Sequence, residues 1–271
     1  MIEKNIENYK PGVRKFGIIN WVGAKHLYIK EVNRFLIVWS QTLFAPLITT
    51  VLFYMVFSIS IGSNRPDVLG VSYMNFLLPG LISMSCIQQS FSHSSSSLLM
   101  GKMMGTIVDT ISSPLSSSEV VLATILASVT RSFMIAIISI FVFFIFIDVK
   151  IYSYLALFCF LFLSSFILGA TGFIAGLWAE KFDHMASITN FVLLPLSFLS
   201  GTFYSISKLP IYLQTISEYN PFFCMIDGIR YGFLGNSDGS IKFELIYLVI
   251  LSIIMWYLSY LLYKKGWKIK S

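Results

Sequence analysis

Charge is scarce in this chain. Only 12% of its 271 residues are Asp, Glu, Lys or Arg, against 56% hydrophobic residues and a mean hydropathy of +0.78. So little polar surface cannot cover a water-soluble globule, which excludes the soluble classes and places the chain in a bilayer. Cysteine is equally sparse: Cys86, Cys159 and Cys224 lie far apart, with no CxxC and no Cys/His ligand spacing. A disulfide framework and a metal centre both lack their residues, and the three thiols read as small apolar packing groups. The histidines, His26, His93 and His184, form no H-E-x-x-H pair and serve no activated serine, Ser92 being a chance neighbour of His93, so intramembrane protease chemistry is excluded. There is no G-x-x-x-x-G-K-[ST] phosphate loop. Acidic residues are missing from the centres of the hydrophobic stretches, which disfavours the alternative of an ion-coupled secondary transporter or channel.

Long apolar runs are what the chain does have. A spanning helix needs roughly 20 apolar residues, at about 1.5 Å each across about 30 Å of hydrocarbon. Six stretches qualify, at about 35–62, 71–96, 120–147, 151–178, 188–205 and 242–263, the fifth being short and holding Pro195. The fold class expected is therefore an all-α integral membrane protein with six transmembrane helices. Residues 1–34 carry Lys4, Lys10, Arg14, Lys15, Lys25, Lys30 and Arg34 with no apolar core ahead of the first span, so no cleavable signal peptide is expected and the amino terminus stays in the cytoplasm. Lys102, Lys181, Lys264, Lys265, Lys268 and Lys270 fall on the same side after six crossings, whereas the other side holds Arg65, Lys150, Lys208, Arg230 and Lys242. This asymmetry follows the positive-inside rule. The pI near 9.1 thus reflects orientation and contact with anionic membrane lipid, and nucleic acid is not expected as a partner.

Several local patterns carry more specific expectations. Ile18, Trp21, Val22, Leu27, Ile29 and Phe35 alternate with Lys25, His26, Lys30, Glu31, Asn33 and Arg34, the pattern of an amphipathic helix lying in the membrane interface. Between the second and third spans, Gly105 and Pro114 bracket a segment of two or three helical turns, too short and polar to cross. Arg131 alone among the charges lies well inside a span; it either snorkels to the headgroups or faces an inner cavity, pairing with an anionic headgroup, a cargo phosphate or Asp109. Gly169, Gly172 and Gly176 mark a close-packing face on the fourth span. Asp183 is expected to cap or tether the start of the next helix through its side-chain oxygen. The pieces 206–218 and 221–235, broken by Pro210, Pro221 and Gly228, are also too short to cross, and Asp227 and Arg230 have the i, i+3 spacing of a helical ion pair. Phe141, Phe143, Phe144 and Phe146 cluster, but most of the aromatics must meet lipid or other helices.

Taken in order, these pieces resemble the membrane subunit of type-2 ABC exporters, including bacterial permeases for nodulation factors, polysaccharides and drugs. The likeness rests on Arg34-Phe35, Trp39, Gln41-Thr42-Leu43, Pro46, Gly62-Ser63, Phe76-Leu77-Leu78-Pro79-Gly80-Leu81, the loop Gly105-Thr106…Asp109…Ser113-Pro114-Leu115, Lys181-Phe182-Asp183, Phe198 to Tyr204 and Asp227 to Gly235. It covers about residues 34–235. The serine run Ser92–Ser97 and Asp227 depart from the family pattern. The resemblance implies a permease that exports a lipid-linked, polysaccharide or amphipathic cargo across a bacterial inner membrane. Its architecture would be a cytoplasmic segment over 1–34 holding the interface helix, followed by a transmembrane domain over 35–271. Gly105, Thr106, Asp109, Ser113, Pro114 and Leu115 would form a cytoplasmic coupling helix seated in an ATPase cleft. Short re-entrant helices between spans five and six would gate the outer mouth, using Gly201, Pro210, Asn220, Pro221, Asp227, Gly228 and Arg230. The chain would bind no cofactor and be no enzyme itself. ATP and Mg would sit on a separate cytosolic ATPase subunit, and the permease would form a homodimer with both termini cytoplasmic.

Overall fold

The computed structural model describes residues 19–61, 67–146 and 151–269. Expectations placed on residues 1–18, Gly62, Ser63, Arg65, Lys150 and Lys270 lie outside the described residues. Apart from an isolated bridge between Val68 and Val71, the regular structure among the described residues is helical. In chain order it comprises α1 (Trp21–Ile37), a π turn (Ser40–Phe44) leading into α2 (Ala45–Ile61), α3 (Tyr73–Met103), α4 (Ile107–Ser112), α5 (Ser117–Phe146) and α6 (Tyr154–Trp178). There follow α7 (Phe182–Ile188), α8 (Leu194–Ser197), α9 (Ile211–Glu218), α10 (Pro221–Leu234) and α11 (Ile241–Lys264).

Five segments among the described residues are long and apolar enough to cross a membrane: Ser40–Ser60, Ser117–Ile145, Tyr154–Trp178, Phe182–Thr202 and Ile241–Lys264. The stretch expected at 71–96 is a 31-residue helix, α3, which has the length but falls outside that apolar set. Gln88, Gln89, His93 and the serine run dilute it. It tolerates them because α2, α5, α6 and α10 pack around it, so its polar groups meet protein rather than lipid. The fifth expected span, called the fifth segment below although it stands fourth among these five, begins at Phe182 rather than 188, running through α7 and α8 with π turns at Thr189–Leu193 and Phe198–Thr202. Asp183 does not cap it. Lys181 holds the N-cap position without a side-chain bond, and Asp183 lies in the first turn, where its charge complements the helix dipole.

The centre of the molecule is the seam between α3 and α6. Cβ atoms added at Gly172 or Gly176 would run into the backbone of Phe91 or Ser95, and one at Gly169 would strike Ser128 on α5. The serines that depart from the family pattern are the mating surface. Ser94 and Ser95 are buried; Ser95 Oγ donates to its own helix at Phe91 O, 2.7 Å, and presents a small face to Gly176, while the Ser94 hydroxyl has no hydrogen-bond partner among the described residues. At the far end of the seam, Lys102 Nζ donates to the Leu177 and Ala179 carbonyls at 2.7 and 2.5 Å, closing the carboxyl end of α6.

Candidate functional site

Three sites lie along α3. At its carboxyl end the chain turns at Gly105, whose φ of +72° is open to glycine at little cost and costs other residues about 1 kcal/mol. Then comes α4, six residues long and so under two turns, shorter than the expected two or three. Pro114 sets its end: Ser113 is forced extended (φ −72°, ψ 151°), its hydroxyl donating back to Thr110 O at 2.6 Å. Thr106 occupies the N-cap position without a side-chain bond, and Asp109 lies exposed in the first turn. Ile107 is buried and Leu115 partly so, in a cluster with Leu27, Leu98, Val120 and Val121 that seats the loop on the bundle. Met103, Met104, Val108 and Ile111 point outward, each at least half exposed.

A clamp holds this loop against α1. Asn20 caps α1 by accepting from Gly23 N at 2.9 Å, while its Nδ2 donates to Pro114 O at 2.9 Å. Glu119 accepts from Asn20 N at 2.6 Å and from Ser116 N at 2.7 Å, and its own N–H donates to Ser116 Oγ at 3.3 Å. The Ser116–Glu119 exchange is a capping box, with the S-x-x-E spacing in the sequence as its signal. Asn20→Ala is expected to lower stability by about 1 kcal/mol through the lost cap. Asn20→Ser, whose hydroxyl keeps the cap and loses the Pro114 bond without adding charge beside Glu119, should recover most of that in a thermal melt of the detergent-purified protein.

The second site lies midway along α3. On α1, Lys25, His26 and Lys30 face outward as expected, but Glu31 and Arg34 turn inward. Arg34 Nε donates to Glu31 at 3.1 Å and its Nη2 to His93 O at 3.1 Å, while Ser97 Oγ donates to Glu31 at 2.7 Å. Arg131, 7% exposed, neither snorkels nor meets Asp109. Its Nη2 donates to Gln89 Oε1 and, at 3.4 Å, to the Thr42 carbonyl, which Pro46 four residues on cannot serve. Gln89 in turn lines a cleft of about 390 Å³ between α2, α3 and the fifth segment. Gln41, Thr49, Thr50, Ser85 and Gln88 give it uncharged hydrogen-bonding groups; Phe53, Leu81, Met84, Leu194 and Phe198 give it apolar walls.

The third site is at the amino end of α3, about 40 Å along that helix from α4. Gly201, Asn220, Asp227, Gly228 and Arg230 converge here, whereas Pro210 stands apart as the exposed N-cap position of α9. Pro221 opens α10, and Asn220 caps it by accepting from Phe222 N at 3.0 Å while donating to Ser200 Oγ at 3.0 Å. Gly228 leaves space for the Phe160 ring of α6. Arg230, fully buried, pairs with Asp227 at 3.5 Å, donates to Gly201 O at 2.6 Å and covers the Phe76 ring at 4.0 Å. Asp227 also accepts from Asp238 N and Gly239 N, each at 3.0 Å. The i, i+3 pairing was visible in the sequence; Asp238, which faces Arg230 at 4.0 Å and accepts from Ser205, and the buried Glu244 were not.

Residues 24–234 match the model of the ABC-2 type transporter membrane family. The chain belongs to that family. It is also 32% identical over 251 residues to the inner membrane transport permease YadH of Escherichia coli K12, covering 93% of this chain and 98% of the relative, and matches the Shigella flexneri protein of the same name equally. The chain is thus a multi-pass membrane protein and an ABC-2 permease, a class that works with an ATPase subunit. Within the ABC-2 match fall α4, the mixed cleft and the Asp227–Arg230 pair with Gly201, while Asp238, Gly239 and Glu244 lie beyond it.

Proposed function

We propose that this chain is the six-span permease of an ATP-driven exporter in a bacterial inner membrane, with α3 as the second span and both termini cytoplasmic. Two copies pair, surrounded by membrane lipid, with two cytosolic ATPases that carry the ATP and Mg. In this reading residues 1–34 form a cytoplasmic segment with α1 in the interface, and 35–271 the transmembrane domain. Gly105, Thr106, Asp109, Ser113, Pro114 and Leu115 build the coupling element. The observation that carries the reading is the loop's division of labour: Ile107 and Leu115 anchor it while Met103, Met104, Val108 and Ile111 are left exposed around Asp109. Such an apolar patch on a short polar turn suits a protein partner.

The cleft beside Arg131 is the proposed cargo path. Its amides and hydroxyls beside aliphatic and aromatic walls suit an amphipathic or glycan-bearing cargo better than a free anion, because Arg131 is already engaged by Gln89 and Thr42. Gly201, Pro210, Asn220, Pro221, Asp227, Gly228 and Arg230 form the proposed outer gate. Backbone there is tolerated where protein satisfies it, as Asn220 does for Phe222 N and Arg230 for Gly201 O. Co-purification tests the reading: the tagged wild-type permease in mild detergent should bring an ATPase with it, and Asp109→Arg combined with Pro114→Gly should release most of it. A wild type that retains no ATPase would overturn the proposal.

A further inference from the structure

The cleft between α2, α3 and the fifth segment is poor in hydrogen-bond donors. No charged side chain lines it among the described residues, so its polar contacts are neutral hydrogen bonds. Thr49 and Thr50 spend their hydroxyl hydrogens on their own helix, at Ala45 O (2.9 Å) and Pro46 O (2.8 Å), and so offer only lone pairs. Ser85 Oγ and Gln88 Nε2 are sealed in the wall, each buried and without a partner among the described residues, where nothing in the cleft reaches them. Two lining side chains are left to donate. Gln41 is exposed on the π turn with no side-chain bond among the described residues, whereas Gln89 is partly exposed with its carbonyl held.

The hold on Gln89 comes from Arg131. A guanidinium only donates, so the amide oxygen must be the atom facing Nη2 and the Nε2 donors point away from Arg131. Unlike its neighbour on Gln88, this nitrogen is not sealed in the wall, and it takes no bond among the described residues. Arg131 is itself fixed, because its Nη2 also reaches Thr42 O at 3.4 Å. Next to it, Ser132 Oγ donates to Cys86 O of α3 at 3.4 Å and accepts from Ser165 Oγ of α6 at 2.7 Å, which ties α5 to both neighbours. Gln89 therefore offers donors of set direction in a wall otherwise made of acceptors and hydrocarbon.

We propose that Gln89 is the specificity-determining residue of the cleft and Arg131 its positioning residue: the oriented amide donates to an uncharged oxygen acceptor on the cargo, such as a sugar oxygen or an ester carbonyl. This role rests on the reading of the cleft as the cargo path and names one contact within it. A cargo without an acceptor at this point would strip water from the amide N–H and leave it unpaired, which turns the contact into a selection. The walls of Phe53, Leu81, Met84, Leu194 and Phe198 take the hydrocarbon of the same molecule.

Equilibrium dialysis of two probes below their micelle-forming concentrations against the full chain in nanodiscs, with empty nanodiscs subtracted, tests it. The probes are octyl β-D-glucoside and its tetra-O-methyl ether, which keeps the acceptor oxygens and has no hydroxyl to donate. The wild type should bind both saturably, and Thr49→Trp, which fills the cleft from an exposed position on α2, should lose both. Gln89→Glu keeps the bond to Arg131 but offers the cleft an acceptor only. It should melt at or above the wild type yet lose at least about tenfold in affinity for the methyl ether, while the glucoside, whose hydroxyls donate to the new carboxylate, loses under about threefold. Arg131→Met frees the amide to turn over and should shift the ratio of the two affinities about threefold toward the glucoside, whereas Arg131→Lys, which still donates, should keep the wild-type ratio. A ratio unchanged in Gln89→Glu, with both probes lost in Thr49→Trp, would overturn the proposal and leave the cargo path standing. No saturable binding by the wild type, or binding that survives Thr49→Trp, would overturn both.

Discussion

Replacing Arg230 with leucine is expected to destabilise the protein by about 3–5 kcal/mol, because it leaves buried carboxylates without their counter-charge. Asp227 and Asp238 both face this guanidinium, and the Gly201 carbonyl would lose its donor. These bonds tie α10 to the end of the fifth segment, and the Phe76 contact ties both to α3, so the loss would be felt across three elements. Arg230→Lys should recover only part of it. A lysine is a point charge that cannot serve the carboxylate and the carbonyl as a planar fork while lying over the Phe76 ring. Thermal unfolding followed by fluorescence-detected size exclusion reads both variants. A leucine variant that melts with the wild type would mean that the cluster does not hold the outer helices.

The second large effect is expected at the α3–α6 seam. A Cβ on Gly172 would collide with the Phe91 carbonyl oxygen and stand 3.0 Å from that residue's Cα and carbonyl carbon, which are backbone and cannot rotate away. Gly172→Ala should therefore cost about 1–3 kcal/mol as the helices are forced apart, and Gly172→Leu should abolish recovery of folded protein. Gly101 is the control on the same helix, where α3 faces the α4 loop rather than α6. Its added Cβ would lie 3.8 Å from the nearest atom, so Gly101→Ala should be neutral or stabilising by up to about 1 kcal/mol through helix propensity. Equal melting of Gly172→Ala and Gly101→Ala would contradict the seam.

What the sequence made legible was periodic or local. Gly169, Gly172 and Gly176 announced a packing face by their spacing, and Asp227 with Arg230 announced a pair, because one helix supplies both members. Partners across long stretches of chain stayed hidden: Asn20 with Glu119, Arg34 with His93 and Arg131 with Gln89 meet only after the bundle assembles. The serine run looked like an anomaly because its complement is a glycine face some eighty residues on, which no local pattern reveals. The missing apolarity of α3 has the same origin, since its neighbours replace lipid along most of its length. The buried acids are hidden for another reason: Glu31 lies on α1, ahead of the first span, and Glu244 in the first turn of α11, so neither falls at a span centre. In the candidate coupling loop the turn residues were readable, because Gly105 and Pro114 impose backbone geometry wherever they stand. Its length was not, since Pro114 extends Ser113 and so truncates α4.

The central claim is that force enters through the α4 loop from an ATPase. A photo-crosslinking amino acid placed at Val108, 59% exposed on α4, tests it in intact cells, with the same probe at Ile211, 81% exposed on α9, as the opposite-end control. The account predicts an adduct between the Val108 probe and an ATPase subunit, and none from Ile211. An ATPase adduct from Ile211, or its absence from Val108 in a transporter that still co-purifies with an ATPase, would contradict it.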